Sequence, residues 1–153
     1  MNDFRFDGEY LLIAEDGENL ESRKLPIAFV ASGRFWVNNH AHVVKNRVGN
    51  LQFFAYFISQ MAVNDYLSGT TRPKLNKAQM MSILLPFPPE DEQVEITNLL
   101  AAIDRKADLH GRTRGALLST FRTLLHELMT AQVRVHDLDL SALEEAAHPA
   151  GAA

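Results

Sequence analysis

The chain has 153 residues, of which 46% are hydrophobic and 22% charged, so we expect one globular domain with room for an appended helix. Because it contains no cysteine, disulfides, thiolate metal sites and a cysteine nucleophile are excluded. The charged N-terminus lacks a signal-peptide core and no apolar run is long enough to span a bilayer, which predicts a cytoplasmic protein without a membrane segment.

Charge is distributed unevenly along the chain. Residues 1–22 carry seven acids and one base, whereas residues 23–77 carry eight bases and one acid. Local clustering, rather than the total of −4, sets the field that a phosphate meets. The basic block therefore indicates a candidate nucleic-acid surface, whereas the pI of 5.8 favours a protein that binds no DNA.

The N-terminal half is rich in the β-branched and aromatic residues that suit strands. Residues 15–17, Glu-Asp-Gly, have the composition of a turn, and residues 32–34, Ser-Gly-Arg, predict a tight reversal. The predicted strands are 9–14, 27–31, 35–37 and 42–45.

Apolar residues at three- and four-residue spacing then predict an amphipathic helix over 51–67. Asn50 suits its N-cap and Gly69 its C-terminal stop. A short helical turn near 78–81 and a last strand over 82–87 follow. Five aromatic residues are expected in the core rather than as stacking platforms for bases: Trp36, Phe53, Phe54, Tyr56 and Phe57.

A long helix is predicted over 89–134, with a heptad-like apolar seam sustained for about five heptads. His110 and Arg114 interrupt the seam beside Gly111 and Gly115, so we expect a kink, break or polar cluster there. A lone helix cannot bury such a seam, which favours pairing with a helix of another chain over a hairpin folded at Gly111. The seam positions expected at a subunit interface are Ile96, Leu100, Ile103, Leu117, Phe121, Leu124 and Leu128.

Two segments have side chains suited to DNA readout. The loop 69–77 offers cations for phosphates or guanine and an amide for adenine, with Leu75 packed inward; the alternative is an ordinary solvated loop. Residues 38–42, Asn-Asn-His-Ala-His, offer amides and imidazoles, although they equally suit a structural turn. The expected DNA-contacting residues are Thr70, Thr71, Arg72, Lys74, Asn76, Lys77, Arg34, Asn39, His40 and His42.

Catalytic chemistry has little support in the sequence. The acidic segment 15–18 is better read as a turn whose acids repel DNA or position basic neighbours. His40 and His42 form a His-X-His pair that suits a metal, but no carboxylate or cysteine lies at the usual ligand spacing. No set of nucleophile, base and orienting group is recognisable, so we expect a protein that is not an enzyme and holds no metal.

The order of these motifs resembles the end of a target-recognition domain in the specificity subunit of type I restriction-modification systems. The resemblance lies in Gly69–Asn76, in the run Pro86–Gln93 that follows, and in Leu11–Gly17. It implies an α+β fold, with a small mixed α/β recognition domain followed by a long coiled-coil-forming spacer helix. Because such domains usually begin earlier, a half-length or truncated subunit is implied. The expected divisions are 1–88 for recognition, 89–134 for the spacer and 135–153 for a flexible tail.

The resemblance also implies a non-catalytic function. The chain is expected to read one half of a bipartite site in double-stranded DNA and to dock methyltransferase and restriction subunits. S-adenosylmethionine, Mg²⁺ and ATP belong to those partners, and no cofactor is expected in this chain. The long helix is expected to form a homodimer or to pair with a second specificity half. Two alternatives are a dimerisation module that binds no DNA and, less favoured, a small metal-dependent enzyme using His40 and His42.

Overall fold

A three-stranded antiparallel sheet has β1 at its centre. The computed structural model describes residues 4–69 and 71–141, without the side chain of Asp137. The strands are β1 (Phe6–Ala14), β2 (Ala28–Phe35) and β3 (Ala41–Val44), in the spatial order β2-β1-β3. Leu11, Leu12 and Ile13 are all buried, which explains why β1 has a continuous apolar run instead of an alternating pattern.

Helix packing on one face of the sheet forms the core. The helices are α1 (Asn19–Ser22), α2 (Leu51–Gln60), α3 (Lys77–Ser82) and α4 (Glu90–Met129), with 3₁₀ turns at Asn64–Tyr66 and Val135–Asp137. α2 packs on β1 and β2. The buried core cluster comprises Leu11, Ile13, Leu20, Ile27, Ala28, Leu51, Phe53, Phe54, Ala55, Ile58, Val63 and Leu75. The expected α+β fold with a long C-terminal helix is confirmed.

Strand β2 continues through residues 32–34, so the predicted reversal there is wrong. Gly33 lies opposite Gly8 in the β1–β2 pairing, and both have positive φ, +86° and +121°. Glycine adopts this backbone freely whereas other residues are strained, so both strands take it up without losing their pairing. The separate strand predicted over 35–37 is also wrong, because Phe35 ends β2 and the two residues after it are not in a strand.

Helix α2 ends at Gln60, earlier than the predicted Leu67. The guanidinium of Arg23 donates hydrogen bonds to the carbonyl oxygens of Ser59 at 2.6 Å and Met61 at 3.0 Å. Met61 is extended, so the chain leaves the helix there. A cation beside the last carbonyls stabilises a helix C-terminus, and it comes here from a residue far away in the sequence.

Residues 83–89 have no regular structure, so the strand predicted over 82–87 is wrong. α3 contains the predicted helical turn and occupies Ser82. The prolines that follow lack the N–H group needed for pairing in a sheet. Phe87 instead stacks on Phe54 with ring centroids 6.0 Å apart, and Ile83 packs against the core.

The beginning of α4 is bonded to the beginning of α2 through Gln93. This side chain is fully buried; its Oε1 accepts from the backbone N–H of Asn50 at 2.8 Å, and its Nε2 donates to the carbonyl of Pro88 at 2.8 Å. The Asn50 side chain accepts from the N–H of Phe53 at 3.1 Å, which confirms the predicted N-cap.

Helix α4 is uninterrupted through Gly111 and Gly115, so of the kink, break or polar cluster expected there, the break is absent. Each glycine costs only about 1 kcal/mol in a helix interior, and an ion pair one turn apart, Arg112 with Asp108 at 2.9 Å, spans the first of them. The helix ends at Met129 rather than 134. Its end is closed where Ala131 adopts a left-handed conformation with φ of 56°.

The chain divides into two compact units, one ending at Ala102 and one beginning at Ile103. The first holds the sheet, α1 to α3 and the first turns of α4; the second holds the rest of α4 and the residues after it. Of the tail predicted over 135–153, residues 142–153 lie outside the described part. No helix within the described ranges is long and apolar enough to cross a membrane.

Candidate nucleic-acid interface

The acidic turn after β1 joins the two segments that the sequence predicted to contact DNA. The backbone N–H of Glu15 donates to the carbonyl of His40 at 3.0 Å, and the Glu15 carbonyl accepts from the N–H of Leu75 at 2.7 Å. The N–H of Gly17 donates to the carbonyl of Pro73 at 3.2 Å. The segment around His40 and the basic loop are therefore bonded to the same short turn.

The Asp16 carboxylate binds one base from each segment. Its Oδ1 accepts from Nη2 of Arg72 at 2.8 Å, and its Oδ2 lies 3.0 Å from Nδ1 of His40. The Asp16 side chain is only 14% exposed, whereas those of Arg72 and His40 are 64% and 47% exposed. The hydrogen bond with His40 is the main cause that lowers the pKa of Asp16, partial desolvation opposes it, and the charge of Arg72 lowers the pKa further.

A second ion pair and a backbone closure define the shape of the loop. Nζ of Lys74 lies 3.1 Å from Oε1 of Glu15. Ser68 and Lys74 exchange two backbone hydrogen bonds, each of 2.8 Å, which close the loop at its base. Gly69 has φ of +89°, and a Cβ there would lie 2.5 Å from the carbonyl oxygen of Arg72. Only glycine fits this close approach of the backbone without displacement.

The base of the loop is anchored in the protein interior. Leu75 is fully buried, as predicted, and Pro73 is also buried. Nε2 of His42 lies 2.7 Å from the carbonyl oxygen of Leu75; since a carbonyl only accepts, this nitrogen carries the proton. Nδ2 of Asn76 donates to Oγ of Ser68 at 2.8 Å. His42 and Asn76 are partly buried and hold the loop against the sheet.

The other expected DNA contacts that the structure describes form no ion pair with Asp16 or Glu15. Thr71, Lys77 and Asn39 are exposed, and Thr70 lies outside the described residues. Arg34 is at the far end of the sheet, paired with Asp7 at 3.2 Å and placed over the Phe4 ring at 4.8 Å from its centroid. From Asp7 to the end of β1 the strand spans about 23 Å, so Arg34 is remote from Asp16.

An apolar groove adjoins the ion-pair cluster of Asp16, His40 and Arg72 on the side of His40. Its volume is about 540 Å³, and its lining includes Phe29, Trp36 and Asn38 in addition to His40. Trp36 is 65% exposed, so the prediction that it lies in the core is wrong. The structure places it after the end of β2 and outside the buried core cluster. Phe53 and Phe54, by contrast, are buried in the core as expected.

Comparison with known proteins identifies the family of this chain. Residues 1–118 match the type I restriction modification DNA specificity domain. The chain belongs to this family. A putative type I restriction enzyme specificity subunit of Haemophilus influenzae is 39% identical over 103 residues, covering 65% of this chain and 26% of that protein. A putative type I specificity subunit of Mycoplasma pneumoniae is 28% identical over 106 residues, covering 68% of this chain and 28% of that protein.

The resemblance recognised from the basic loop and the proline-rich run is thus confirmed. The matched region spans little more than a quarter of the length of these two curated relatives.

The predicted seam of the specificity domain's long helix is in two different environments. Ile96 packs against the core of the first unit, and Leu100 is partly buried. Ile103 is 56% exposed, Leu117 66% and Phe121 61%. Leu124 and Leu128 are half-buried. A row at four-residue spacing remains exposed in the second unit: Leu117, Phe121, Leu125 and Met129.

The two histidines of the His-X-His pair have separate partners. His40 pairs with the Asp16 carboxylate, whereas His42 contacts a backbone carbonyl. Among residues 4–69 and 71–141, no group of three or more histidine, aspartate or glutamate side chains is arranged to hold a metal ion.

Two features of the specificity domain were not identified from sequence. Arg23 contributes to the basic block, but its guanidinium caps α2 and is not free for DNA. From the sequence, Asp16 was interpreted only as part of a turn whose acids repel DNA or position basic side chains nearby. The structure shows the second of these, because Asp16 binds Arg72 and His40. A usable signal was present, because an acidic turn directly ends the most apolar strand of the chain.

Proposed function

We propose that this chain recognises DNA sequence as part of a type I specificity subunit. One observation supports the proposal: the segment 38–42 and the loop 69–77 lie together. Their side chains His40, Arg72 and Lys74 are held around the turn at Asp16. Arginine and lysine bind phosphates and the O6/N7 edge of guanine, and such contacts provide both affinity and sequence readout. Membership of the DNA specificity domain family supports the same function.

Within such a subunit, the chain reads one half of a bipartite site in double-stranded DNA. Residues 1–88 act as the recognition domain, 89–134 as the spacer helix and 135–153 as a tail. The helix docks the methyltransferase and restriction subunits, which carry the chemistry together with S-adenosylmethionine, Mg²⁺ and ATP. The chain itself contributes recognition and no catalytic residue, and it functions in the cytoplasm.

The exposed part of the helix supports pairing with a second helix. Leu117 and Phe121 are both more than half exposed although they are large and apolar. Burying such side chains stabilises an assembly by about 1.5–3 kcal/mol each. A second copy of this chain or a second specificity half would cover them.

DNA binding is tested by reversing charge in the basic loop. We expect the double variant Lys74→Glu/Lys77→Glu to lose duplex binding, measured by fluorescence anisotropy at two salt concentrations. The slope of log affinity against log salt should fall by about one for each lysine that contacts a phosphate. The double variant Arg105→Glu/Lys106→Glu, on the exposed surface of α4, is the control with the same charge change.

Circular dichroism must show that the double variant remains folded, because Lys74 is paired with Glu15. Unchanged affinity in a folded double variant would remove the loop from the DNA interface. Absence of salt-sensitive binding by the parent chain would reject the proposed function itself.

Helix pairing is tested with Leu117→Glu, which places a charge on the predicted seam. We expect a smaller mass in light scattering than for the parent, since a buried unpaired charge opposes association. Leu109→Glu is a matched control, because Leu109 is 62% exposed but lies off the seam. Equal masses for the parent and Leu117→Glu would contradict the pairing proposal.

A dimerisation module that binds no DNA is the second candidate. One observation favours it: the cations of Arg72 and Lys74 are already paired with Asp16 and Glu15, which weakens the local field that attracts phosphates. This candidate predicts helix pairing without duplex binding at either salt concentration, so the two assays above separate it from the first.

A further inference from the structure

One carboxylate holds two exposed readout groups from distant parts of the chain. Asp16 is separated by 24 residues from His40 and by 56 residues from Arg72, and each of its oxygens contacts one of them. The Asp16 side chain is itself largely covered, and its turn is bonded by the backbone to both segments. The positions of the two groups are therefore coupled through a single side chain.

The contact with Asp16 restricts Arg72 before any ligand arrives. Arginine loses rotamer entropy when it is immobilised, and the 2.8 Å contact to Asp16 holds the guanidinium in one position. The guanidinium has five N–H donors, and the Asp16 contact uses only Nη2. A fixed fork of donors matches the two acceptors of guanine, O6 and N7.

The same carboxylate determines what His40 offers. An ionised carboxylate only accepts hydrogen bonds, so Nδ1 of His40 is the donor, and the tautomer with its proton on Nδ1 has an acceptor at Nε2. In the major groove, the amino group N4 of cytosine is a donor, and it lies beside O6 of the paired guanine. Donors on Arg72 and an acceptor on His40 are thus complementary to the two bases of one G·C pair.

We infer that Asp16 is a positioning residue that makes Arg72 and His40 a fixed reader of one G·C base pair; this rests on the proposed DNA-recognition function. The charges support a contribution to selectivity rather than to affinity. Asp16 balances Arg72 in formal charge, so this pair adds little net attraction for phosphates.

Asp16→Asn separates the contribution to selectivity from the contribution to affinity. The amide keeps the size of the side chain but replaces one acceptor by a donor, so it cannot accept from both partners. It also removes one negative charge beside the DNA. Selectivity should therefore fall while affinity for unrelated DNA stays equal or rises. A residue with a merely structural role would lower both.

The experiment uses the full chain and a library of random-sequence DNA duplexes. The parent should enrich sites that contain at least one G·C pair at a fixed position, and Asp16→Asn should lose the preference at that position. With the selected duplex and a scrambled duplex of equal composition, the ratio of the two affinities should fall about 10- to 100-fold. Asp108→Asn is the matched control, because it removes one acid paired with Arg112 on α4 and should leave the ratio unchanged.

Arg72→Lys provides a second variant that changes an exposed side chain. It keeps the charge but loses the fork, so the G·C preference should disappear while salt-dependent affinity remains. An unchanged affinity ratio in folded Asp16→Asn would overturn the inference, as would parallel loss of both affinities. Enrichment of a site whose G·C positions are unaffected by both variants would overturn the base-pair assignment. Failure of the parent to enrich any duplex would instead reject the proposed function, and the inference with it.

Discussion

Gln93 is the position where the structure makes the sharpest prediction about stability. It is fully buried, it accepts from the N–H of Asn50 and donates to the carbonyl of Pro88, and both distances are 2.8 Å. Gln93→Met keeps the length of the side chain and removes both hydrogen bonds. The substitution therefore tests the hydrogen bonds largely apart from the packing.

The expected loss follows from the two groups left without a partner. A buried backbone donor or acceptor without a hydrogen bond costs about 1–3 kcal/mol. Because the groups at Asn50 and Pro88 are only part-buried, we expect the lower part of this range for each, so the free energy of unfolding should fall by about 2–4 kcal/mol. Gln93→Ala should lose more, because it also leaves a cavity. Gln60→Met is the matched control; Gln60 is exposed at the end of α2, and its replacement should change stability by less than about 0.5 kcal/mol.

Urea unfolding followed by circular dichroism measures these differences. With an m-value of about 2 kcal/mol/M, the midpoint for Gln93→Met should fall by about 1–2 M. If its midpoint equals that of the parent, the two hydrogen bonds do not contribute to the stability of this protein. If the Gln60→Met midpoint falls equally, the loss comes from introducing methionine and not from burial.

Three further changes have predicted outcomes. Gly69→Ala should lower the melting temperature more than Gly33→Ala, because both glycines have positive φ but only Gly69 would also clash with a carbonyl oxygen; equal effects would contradict this reasoning. Arg23→Ala should cost about 1.5–3 kcal/mol in urea unfolding through loss of the α2 cap, whereas Lys24→Ala, at an exposed ion pair, should change little. Because the pKa of Asp16 is lowered below its ordinary 3.8, its ionised form stabilises the fold above that value and the contribution is lost as pH falls through the lowered pKa. The difference in melting temperature between the parent and Asp16→Asn should therefore shrink on going from about pH 6 to pH 3, and a constant difference would exclude the ionised carboxylate as its cause.

The features predicted correctly from the sequence depend on short-range patterns. Asn50 caps the residues immediately after it, and α4 begins directly after the prolines and at three consecutive acids. Leu75 is the apolar residue within a polar loop, so its burial follows from the hydrophobic effect alone. Each of these outcomes is decided within a few residues of the position concerned.

The errors have the opposite origin. Gly33 was read as a reversal because its partner, Gly8, lies in another strand. The end of α2 was placed too late because the cap is the guanidinium of Arg23. Trp36 was assigned to the core, although the strand that bears its neighbours ends one residue earlier. Local periodicity reveals neither the two distant partners, Gly8 and Arg23, nor the residue at which β2 ends.

The same distinction holds for the candidate site. Residue types suited to DNA were visible in two separate segments, because charge, hydrogen-bonding capacity and the resemblance to specificity subunits are properties of the chain itself. Only the tertiary structure brings the two segments together. The turn after β1 lies between them, which places Asp16 within hydrogen-bond distance of Arg72 and His40. Arg34 has equally suitable chemistry but lies at the other end of the sheet. Strand pairing determines which of these groups meet, because contacts between residues distant in sequence depend on register and not on composition.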